Sequence, residues 1–563
     1  MSATAVVWDD TPPQDDSDYE SGQPPEQDTI FALSSGSGSS HTATALAVIR
    51  ISGPRAASTL KAMLHPNRTF PAPRQAALCK LYQPAINIDN DNNHNHNNNE
   101  NNTPRTALDH ALVLYFPQPH SFTGETVVEL HCHGSRAVVT DVLDALGKLP
   151  HHRLAEAGEF TQRAFGAGKL DLVQVEALAD LLTADTSRQR QLALRQMEGT
   201  MSKQYEAWRA MLIKGLAHAE AVIDFGDDEA LGDDDNDDDD DDYTQQWNIW
   251  GDVRLKMQDL CHQMEFHLQD SRRGELVREG LKIAIVGPPN AGKSSLFNVL
   301  AQKDAAIVSN IAGTTRDVLE LSLNLGGIKC VLSDTAGVRS VSQDVIEQEG
   351  IKRAKRVAQN ADVVVAMVEM GDVQHGVDIL QTVLLEASKM KQGQEDGEDF
   401  TIDSGDTTVL DPENVLLVLN KMDLKADNSD TKEHNQDVTS SPGNFLGGSQ
   451  TFEISCHTNE GIDSFLEALT RTVTSRVSGD KSATGNSGAT EGSLITRARH
   501  RQHVQAAVQA LRRFDELSQQ GPMVVDMAAE ELRLAASELG RVTGAVDVED
   551  ILDVLFKDFC IGK

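Results

Sequence analysis

One short segment constrains this chain more than any other. Gly287-Pro-Pro-Asn290-Ala291-Gly292-Lys293-Ser294-Ser295 lies between the apolar run Lys282–Val286 and the apolar stretch Leu296–Leu300. The first run reads as a strand and the second as a helix. A Gly-rich turn from strand into helix aims successive backbone N–H groups and the positive end of the helix dipole at one point. That is an anion cradle, and a Lys-Ser pair at its end makes it a phosphate-binding loop. In such a loop Lys293 reaches the β- and γ-phosphates and the Ser294 hydroxyl coordinates Mg²⁺.

Two further motifs choose the nucleotide. Asp334-Thr335-Ala336-Gly337 follows the apolar run Ile328–Ser333. Its Asp suits the outer shell of Mg²⁺, and the Gly337 N–H suits a γ-phosphate. Asn420-Lys421-Met422-Asp423 follows the run Val415–Leu419. A carboxylate at Asp423 accepts from N1–H and N2–H₂ of guanine together; adenine offers neither donor, so ATP is rejected. Ser455-Cys456-His457 ends the run Phe452–Ile454 and is read as the base-facing loop, with a plain loop as the alternative. These motifs in this order assign GTP as the ligand and GTP hydrolysis as the activity.

Between the first two motifs lies Ser309-Asn310-Ile311-Ala312-Gly313-Thr314-Thr315. A Thr here gives its hydroxyl to Mg²⁺ and its N–H to the γ-phosphate; Thr315 is assigned, with Thr314 as its rival. Signalling GTPases often carry a water-orienting Gln directly after DxxG. Here that position is Val338, which cannot do this. Another group must hold the water and another charge must stabilise the transition state. Asn290, a polar side chain inside the loop, suits a monovalent cation that neutralises charge as it builds. Glu347 and Glu349 lie downstream and suit water positioning, or are surface carboxylates.

The flanks set the architecture. At 563 residues the chain is long enough for about three or four domains. Residues 28–150 mix short alternating apolar runs with turns and read as α+β, with an Asn-rich insertion at 87–102. Residues 151–279 are helical, with Leu170, Val173, Ala177, Leu178 and Leu181 at three- and four-residue steps. Residues 280–476 alternate strands and helices as a doubly wound α/β domain, interrupted by polar inserts at 392–413 and 427–450. A linker at 477–493 leads to further helices at 494–563. The fold class is therefore multidomain: an α+β N-terminal domain, an all-α helical domain in two pieces, and an inserted α/β P-loop GTPase (Ras-like) domain. The first 27 residues read as a disordered tail.

Charge and cysteines narrow the setting. The net charge is −36, and Asp227–Asp242 carries a dense acidic run without a basic residue. That run reads as a solvated, self-repelling loop. Any RNA contact must use a local basic patch. The six cysteines form no CxxC pair, the pattern of a reducing compartment. No apolar run reaches the ~20 residues of a spanning helix. The acidic N terminus matches neither a signal peptide nor an Arg-rich transit peptide.

The segments GPPNAGKSSLFN, AAIVSNIAGTTRDV, SDTAG and EGIKRA resemble the TrmE–Era class of GTPases. Thr123–Glu129, Ala157–Leu182 and the terminal Cys560-Ile-Gly-Lys563 narrow the resemblance to the MnmE (TrmE) family of tRNA-modification GTPases. The resemblance covers nearly the whole chain apart from the insertions. It implies an N-terminal folate-binding domain that forms a homodimer, an FAD-dependent partner of the MnmG/GidA type, and modification of C5 of the tRNA wobble uridine. A 5-formyl- or methylene-tetrahydrofolate would supply the one-carbon unit, and hydrolysis would require K⁺. Carried over by position, K⁺ falls to Asn290, Ser309, Ile311 and Thr314. Mg²⁺ falls to Ser294 and Thr315. The water-positioning residue is Glu347, with Glu349 as rival. Folate falls to Arg50, Glu129, Lys169 and Lys563. The resemblance implies a mitochondrial location in a eukaryote and a cytoplasmic one in a bacterium.

The flanking residues also have plainer readings. Arg50 suits a surface arginine, and Lys169 suits a local pair with Asp171. His131-Cys132-His133 suggests zinc, but neighbours on a strand alternate faces, which argues against it. Cys560 is either a reactive thiol or a packing residue. The competing functional reading is an Era-like switch in ribosome assembly. It asks for a KH-type GxxG loop, which the C-terminal helices lack.

Overall fold

The computed structural model describes residues 28–35, 44–84, 105–229, 240–269, 271–303, 305–307, 320–334, 354–391, 414–424, 450–478, 495–520, 524–546, 555–556, 559 and 562. The N-terminal tail and the cores of the four insertions lie outside this set. The chain divides into two compact units, Met1–Leu170 with Glu549–Lys563, and Asp171–Val548.

The first unit is built on β1 (Thr29–Leu33), β2 (Leu46–Ser52), α1 (Ala56–Met63), β3 (Ala77–Tyr82), β4 (Ala107–Phe116), β5 (Val127–His133), α2 (Arg136–Gly147), β6 (His152–Leu154) and α3 (Glu159–Gly166). Among the described residues its strands form a sheet in the order β3-β4-β5-β2-β1-β6. The two-residue period of a strand splits this sheet cleanly. Ala47, Ile49 and Ile51 of β2 and Val128, Leu130 and Cys132 of β5 are buried with Leu60 and Met63 of α1 and Val142 and Leu146 of α2. The alternate positions face outward: Arg50 pairs in register with Glu129, Val48 with His131 and Leu46 with His133. Cys132 thus points into the core, its thiol pushed up to about 12 first by burial and then by Asp109. His131 and His133 lie on the opposite face, so the three residues cannot converge on one ion.

The two units divide the chain differently from the expected domain limits. β6 and α3 belong with the sheet, so the first unit runs to Leu170 rather than 150. The terminal segment Glu549–Lys563 is grouped with this unit. Ser34 Oγ donates to the Gly562 carbonyl at 3.0 Å. Gly562 has φ +94°, and a Cβ there would meet the Leu33 carbonyl at 2.5 Å, so only glycine fits this approach. Phe556 packs beside Gly158 at the start of α3.

The second unit opens with α4 (Leu172–Thr183), α5 (Ser187–Met197), α6 (Thr200–Glu229), α7 (Asp240–Gln269) and α8 (Ser271–Glu279). Both short helices start at reciprocal caps, Asp171 with Gln174 and Thr186 with Gln189. Both ends of the acidic run are helical rather than loop: residues 227–229 end α6 and residues 240–242 begin α7. Acidic residues are favoured at a helix N-terminus, which suits the start of α7. Next come β7 (Leu281–Val286), α9 (Lys293–Ala301), β8 (Glu320–Leu325), β9 (Ile328–Asp334), β10 (Val363–Glu369), α10 (Val373–Lys391), β11 (Val415–Asn420), β12 (Gln450–Glu453) and α11 (Ile462–Ser478). Two helices close the unit, α12 (Ala498–Ser518) and α13 (Val525–Thr543). Tyr205 and Trp208 of α6, Met257 and Leu260 of α7, Leu511 and Phe514 of α12 and Leu532 and Leu539 of α13 share one core.

The inserted strands form a sheet in the order β12-β11-β10-β7-β9-β8. The β8–β9 pair is antiparallel and the others are parallel. Ile283 and Ile285 of β7 pack with Leu296 of α9 and Phe465 of α11, while Ala284 and Val286 pack with Val377 and Leu380 of α10. Helices therefore cover both faces. Strand order reverses between β7 and β10, and a ligand crevice opens at the carboxyl ends of the strands at such a switch point.

Among the described residues no helix is long and apolar enough to cross a membrane.

Candidate functional site

The switch point carries the phosphate loop. A Cβ on Gly287, the first residue after β7, would meet the Met367 carbonyl of β10 at 2.1 Å, so the loop needs glycine to leave the sheet here. Asn290 has φ 63°, a left-handed conformation that Asn tolerates better than most residues. Gly292 is the N-cap of α9 at φ +98°. Lys293 Nζ donates to the Gly287 and Pro288 carbonyls at 2.9 and 2.8 Å, which curls its side chain back over the loop.

Asn420 joins this loop to the base-facing loop. From the end of β11 its Nδ2 donates to the Ala291 carbonyl at 2.9 Å, and its Oδ1 accepts from the Cys456 backbone N–H at 3.2 Å. The side chain is almost fully buried. A Cβ on Gly292 would run into that same Nδ2, so Asn420 in this position requires glycine at 292.

Ser455 organises the carboxylate of Asp423, the residue expected to read guanine. Its Oγ donates to Asp423 Oδ1 at 2.6 Å and accepts from the N–H groups of His457 and Thr458 at 3.3 and 3.2 Å. That hydrogen bond is the main reason the Asp423 carboxyl sits below its ordinary value. The Cys456 thiol is pushed up to about 11 by burial and by Asp423, so it is a neutral wall at neutral pH.

Together Asn290, Gly292, Lys293, Ser294, Ser295, Asn420, Lys421, Asp423, Cys456 and His457 line one open cleft of about 790 Å³. Pro289 of the expected loop lines it as well, and so does Leu424, which no motif marked. Lys421 Nζ lies 2.8 Å from Glu369 Oε2. Glu369 ends β10 directly opposite Asn420 in register; no motif marks it, and only the strand pairing reveals it. Asp334 ends β9. Residues 309–315, 335–337, Val338, Glu347 and Glu349 lie outside the described residues, as do Cys560 and Lys563.

The first unit brings together another part of the expected set. Arg50 Nε and Nη2 donate to Glu129 Oε1 at 3.0 and 2.9 Å across β2 and β5. The guanidinium carbon lies 5.6 and 5.7 Å from the ring centres of Phe122 and Phe160, within cation–π range. Arg50 is thus paired and in contact with two aromatic rings, and not a loose surface arginine. His131 Nε2 is buried without a hydrogen-bond partner and lies 3.5 Å from Glu129 Oε2. The Lys169 stem runs past Gly124, its Cε 3.5 Å from where a Cβ on that glycine would sit. Asp171 is engaged as the cap of α4, its Oδ1 accepting from Gln174 N at 2.8 Å.

Fold and site define a class: a guanine-nucleotide-binding P-loop domain set into a helical scaffold, in a chain that also carries an α+β unit. Residues 29–169 match the family model described as the GTP-binding protein TrmE N-terminus, and residues 172–560 match that of the MnmE helical domain. The chain belongs to the MnmE family of tRNA modification GTPases, and it is a GTPase. It is 42% identical over 536 residues to the tRNA modification GTPase MnmE of Parvibaculum lavamentivorans, covering 95% of this chain and 100% of that protein. It is 39% identical over 547 residues to the mitochondrial 5-taurinomethyluridine tRNA synthase subunit GTPB3 of Danio rerio, covering 96% and 94%. The human protein of that name is 40% identical over 537 residues, covering 95% and 93%. These matches displace the ribosome-assembly alternative.

Proposed function

We propose that this chain is a K⁺-stimulated GTPase acting in modification of C5 of the tRNA wobble uridine. It works as a homodimer with an FAD-dependent partner of the MnmG/GidA type and a 5-formyl- or methylene-tetrahydrofolate as one-carbon donor. One observation carries this reading. A single chain joins a phosphate loop to a sheet on whose outer face Arg50 and Glu129 pair beside a buried His131 nitrogen that makes no hydrogen bond.

In the nucleotide site, the α9 N-terminus and Lys293 bind phosphates and Asp423 reads guanine. Ser294 and Thr315 are the proposed Mg²⁺ ligands. Asn290, Ser309, Ile311 and Thr314 are the proposed K⁺ ligands; Asn290 lines the cleft beside Lys293. These cations supply charge neutralisation at the phosphates. Glu347, with Glu349 as rival, orients the attacking water in place of the missing Gln.

On the sheet, a folate has a cation–carboxylate pair, flanking Phe122 and Phe160, and a ring nitrogen in need of a partner; Lys169 and Lys563 complete the proposed set. The same outer face exposes Leu46, Leu78 and Leu112, apolar surface that a second copy would cover. The proposed compartment is the mitochondrion in a eukaryotic source and the cytoplasm in a bacterial one.

The test is GTP turnover by the full chain in K⁺ and in Na⁺ at equal ionic strength. Turnover at least about tenfold faster in K⁺ is expected of a cation acting at the transition state. Equal rates would remove K⁺ from the mechanism.

A further inference from the structure

The β8–β9 hairpin links two segments that share one expected duty. In sequence, β8 follows the segment bearing Thr315, and β9 ends at Asp334, the first residue of the Asp334–Gly337 motif. Both segments are assigned to the γ-phosphate and Mg²⁺. At the far end of the hairpin the turn is Gly326-Gly327, with φ +61° and +84°. Two left-handed residues make the turn whose twist suits a tight hairpin, and Asn324 Oδ1 accepts from Gly327 N at 3.0 Å to hold it.

This tip is seated on the helical part of the same unit. Lys329 Nζ lies 2.7 Å from Asp185 Oδ2, in the short connection between α4 and α5. A Cβ on Gly327 would come within 3.1 Å of Ser187 Oγ at the first turn of α5. Leu192 of α5 packs on the core of the inserted sheet.

A second set of contacts to the same two helices is built differently. Asp180 Oδ1 accepts from Arg278 Nε at 3.0 Å and from Arg497 Nη2 at 2.7 Å. Arg278 precedes β7 and Arg497 precedes α12, so the paths into and out of the inserted domain share one carboxylate. Gln189 Nε2 donates to the Arg278 carbonyl at 2.8 Å, and Gln196 Nε2 donates to Thr496 Oγ1 at 2.9 Å, the latter pair buried. These contacts form a frame with several redundant bonds. The Lys329–Asp185 pair is a half-exposed ion pair, weak and easily exchanged. It borders a cavity of about 350 Å³ lined by Asp180, Gln189, Gln196, Arg278, Lys329 and Thr496, which gives the hairpin room to shift against the frame.

We propose that Asp185 and Lys329 are positioning residues that couple the nucleotide state to the α4–α5 helices through the β8–β9 hairpin. A strand transmits displacement along its length because its covalent backbone is already close to full extension. A shift at the Asp334 end of β9 therefore appears at Lys329. If the ion pair is made better in one nucleotide state than the other, linkage requires that breaking it change the affinities for the two nucleotides unequally. The proposal rests on nucleotide binding alone and is independent of the K⁺ and folate readings.

The experiment measures dissociation constants of GDP and of a non-hydrolysable GTP analogue for the full chain. The variants are Asp185→Lys, Lys329→Asp and the charge-swapped double variant, each with thermal unfolding recorded alongside. Each single variant is expected to change the GDP-to-analogue affinity ratio by twofold or more, and the swap to restore it. A ratio changed less than twofold in both singles, equal weakening for both nucleotides, or a shift the swap fails to reverse would overturn the proposal. Should a charge reversal unfold the protein, Asp185→Asn is read by the same criterion. Failure of the unaltered chain to bind either nucleotide would instead count against the GTPase assignment.

Discussion

Asn420 donates from Nδ2 to the Ala291 carbonyl at 2.9 Å, so the residue that opens the base-reading motif also fixes the phosphate loop. Replacing Asn420 with Ala strands the Ala291 carbonyl and the Cys456 N–H in a buried place. Each lost partner costs about 1–3 kcal/mol. Affinity for GDP and GTP should fall together, roughly tenfold to a hundredfold, as read by fluorescent-nucleotide titration. Gly292→Ala should produce a similar loss, because its methyl would meet Asn420 Nδ2. Unchanged affinity in both variants would mean that the two loops are not held by this residue.

Asp423 is the residue proposed to carry the base selectivity. Asp423→Asn should weaken GTP binding by roughly a hundredfold or more and bring it close to that of ATP, since an amide cannot accept both guanine donors. Competition titration with the two nucleotides checks this. The hydrogen bond from Ser455 holds the Asp423 carboxyl below its ordinary value. The group therefore stays ionised throughout the neutral range, and its contribution is lost only as pH falls through that lowered value. The preference for GTP over ATP should stay constant between about pH 5 and 8.

The phosphate loop and the guanine motif were legible in the sequence because each is local: strand, short polar motif, helix. β7, β10 and β11 were legible for a related reason. Covered on both faces, they are unbroken apolar runs such as Val363–Val368. β1, β3 and β6 escaped notice. β3 exposes Leu78 on its outer face, and β6 is three polar-flanked residues that matter only through parallel pairing with β1. The same limit hid Glu369 and the destination of the terminal segment. Phe556 and Gly562 have visible local character, but nothing local says that they pack beside Gly158 and Leu33. Arg50 and Glu129 were named by resemblance, and only the β2–β5 register shows why they belong together.

Glu176 is the buried charge on which the helical part of the second unit depends. His500 Nε2 lies 2.7 Å from Glu176 Oε2, and Arg499 Nε donates to Oε1 at 3.1 Å. Burial opposes ionisation, but His500, Arg499 and Arg497 outweigh it and hold the carboxyl well below its ordinary range. For such a carboxylate the stabilisation is complete above the unfolded value of about 4.3 and is lost as pH falls through the folded one. Glu176→Gln takes the carboxylate away from Arg499 and His500, while Arg497 keeps Asp180, and should cost about 3–5 kcal/mol in denaturant unfolding at pH 7. The difference between variant and parent should narrow only below about pH 4.3. A variant as stable as the parent at pH 7 would show that the cluster contributes little.

Arg50 tests the sheet site. Arg50→Ala removes the partner of Glu129 and the cation near the Phe122 and Phe160 rings. Binding of 5-formyltetrahydrofolate, followed by calorimetry, should weaken about tenfold or more, the loss expected of a charge-assisted pair, while GTP affinity is unchanged. Folate affinity equal to that of the parent would move the folate site elsewhere.

The account stands most directly on whether GTP hydrolysis in this chain serves tRNA modification. Lys293 is the residue to change, because its ammonium group is read as the one that reaches the β- and γ-phosphates. The measurement is mass spectrometry of tRNA nucleosides from cells whose sole copy carries Lys293→Ala, with organellar and cytosolic tRNA analysed separately where the source has both. The account predicts loss of the C5-modified wobble uridine together with loss of GTP turnover in the purified variant. Full modification in cells whose purified Lys293→Ala protein no longer hydrolyses GTP would contradict it.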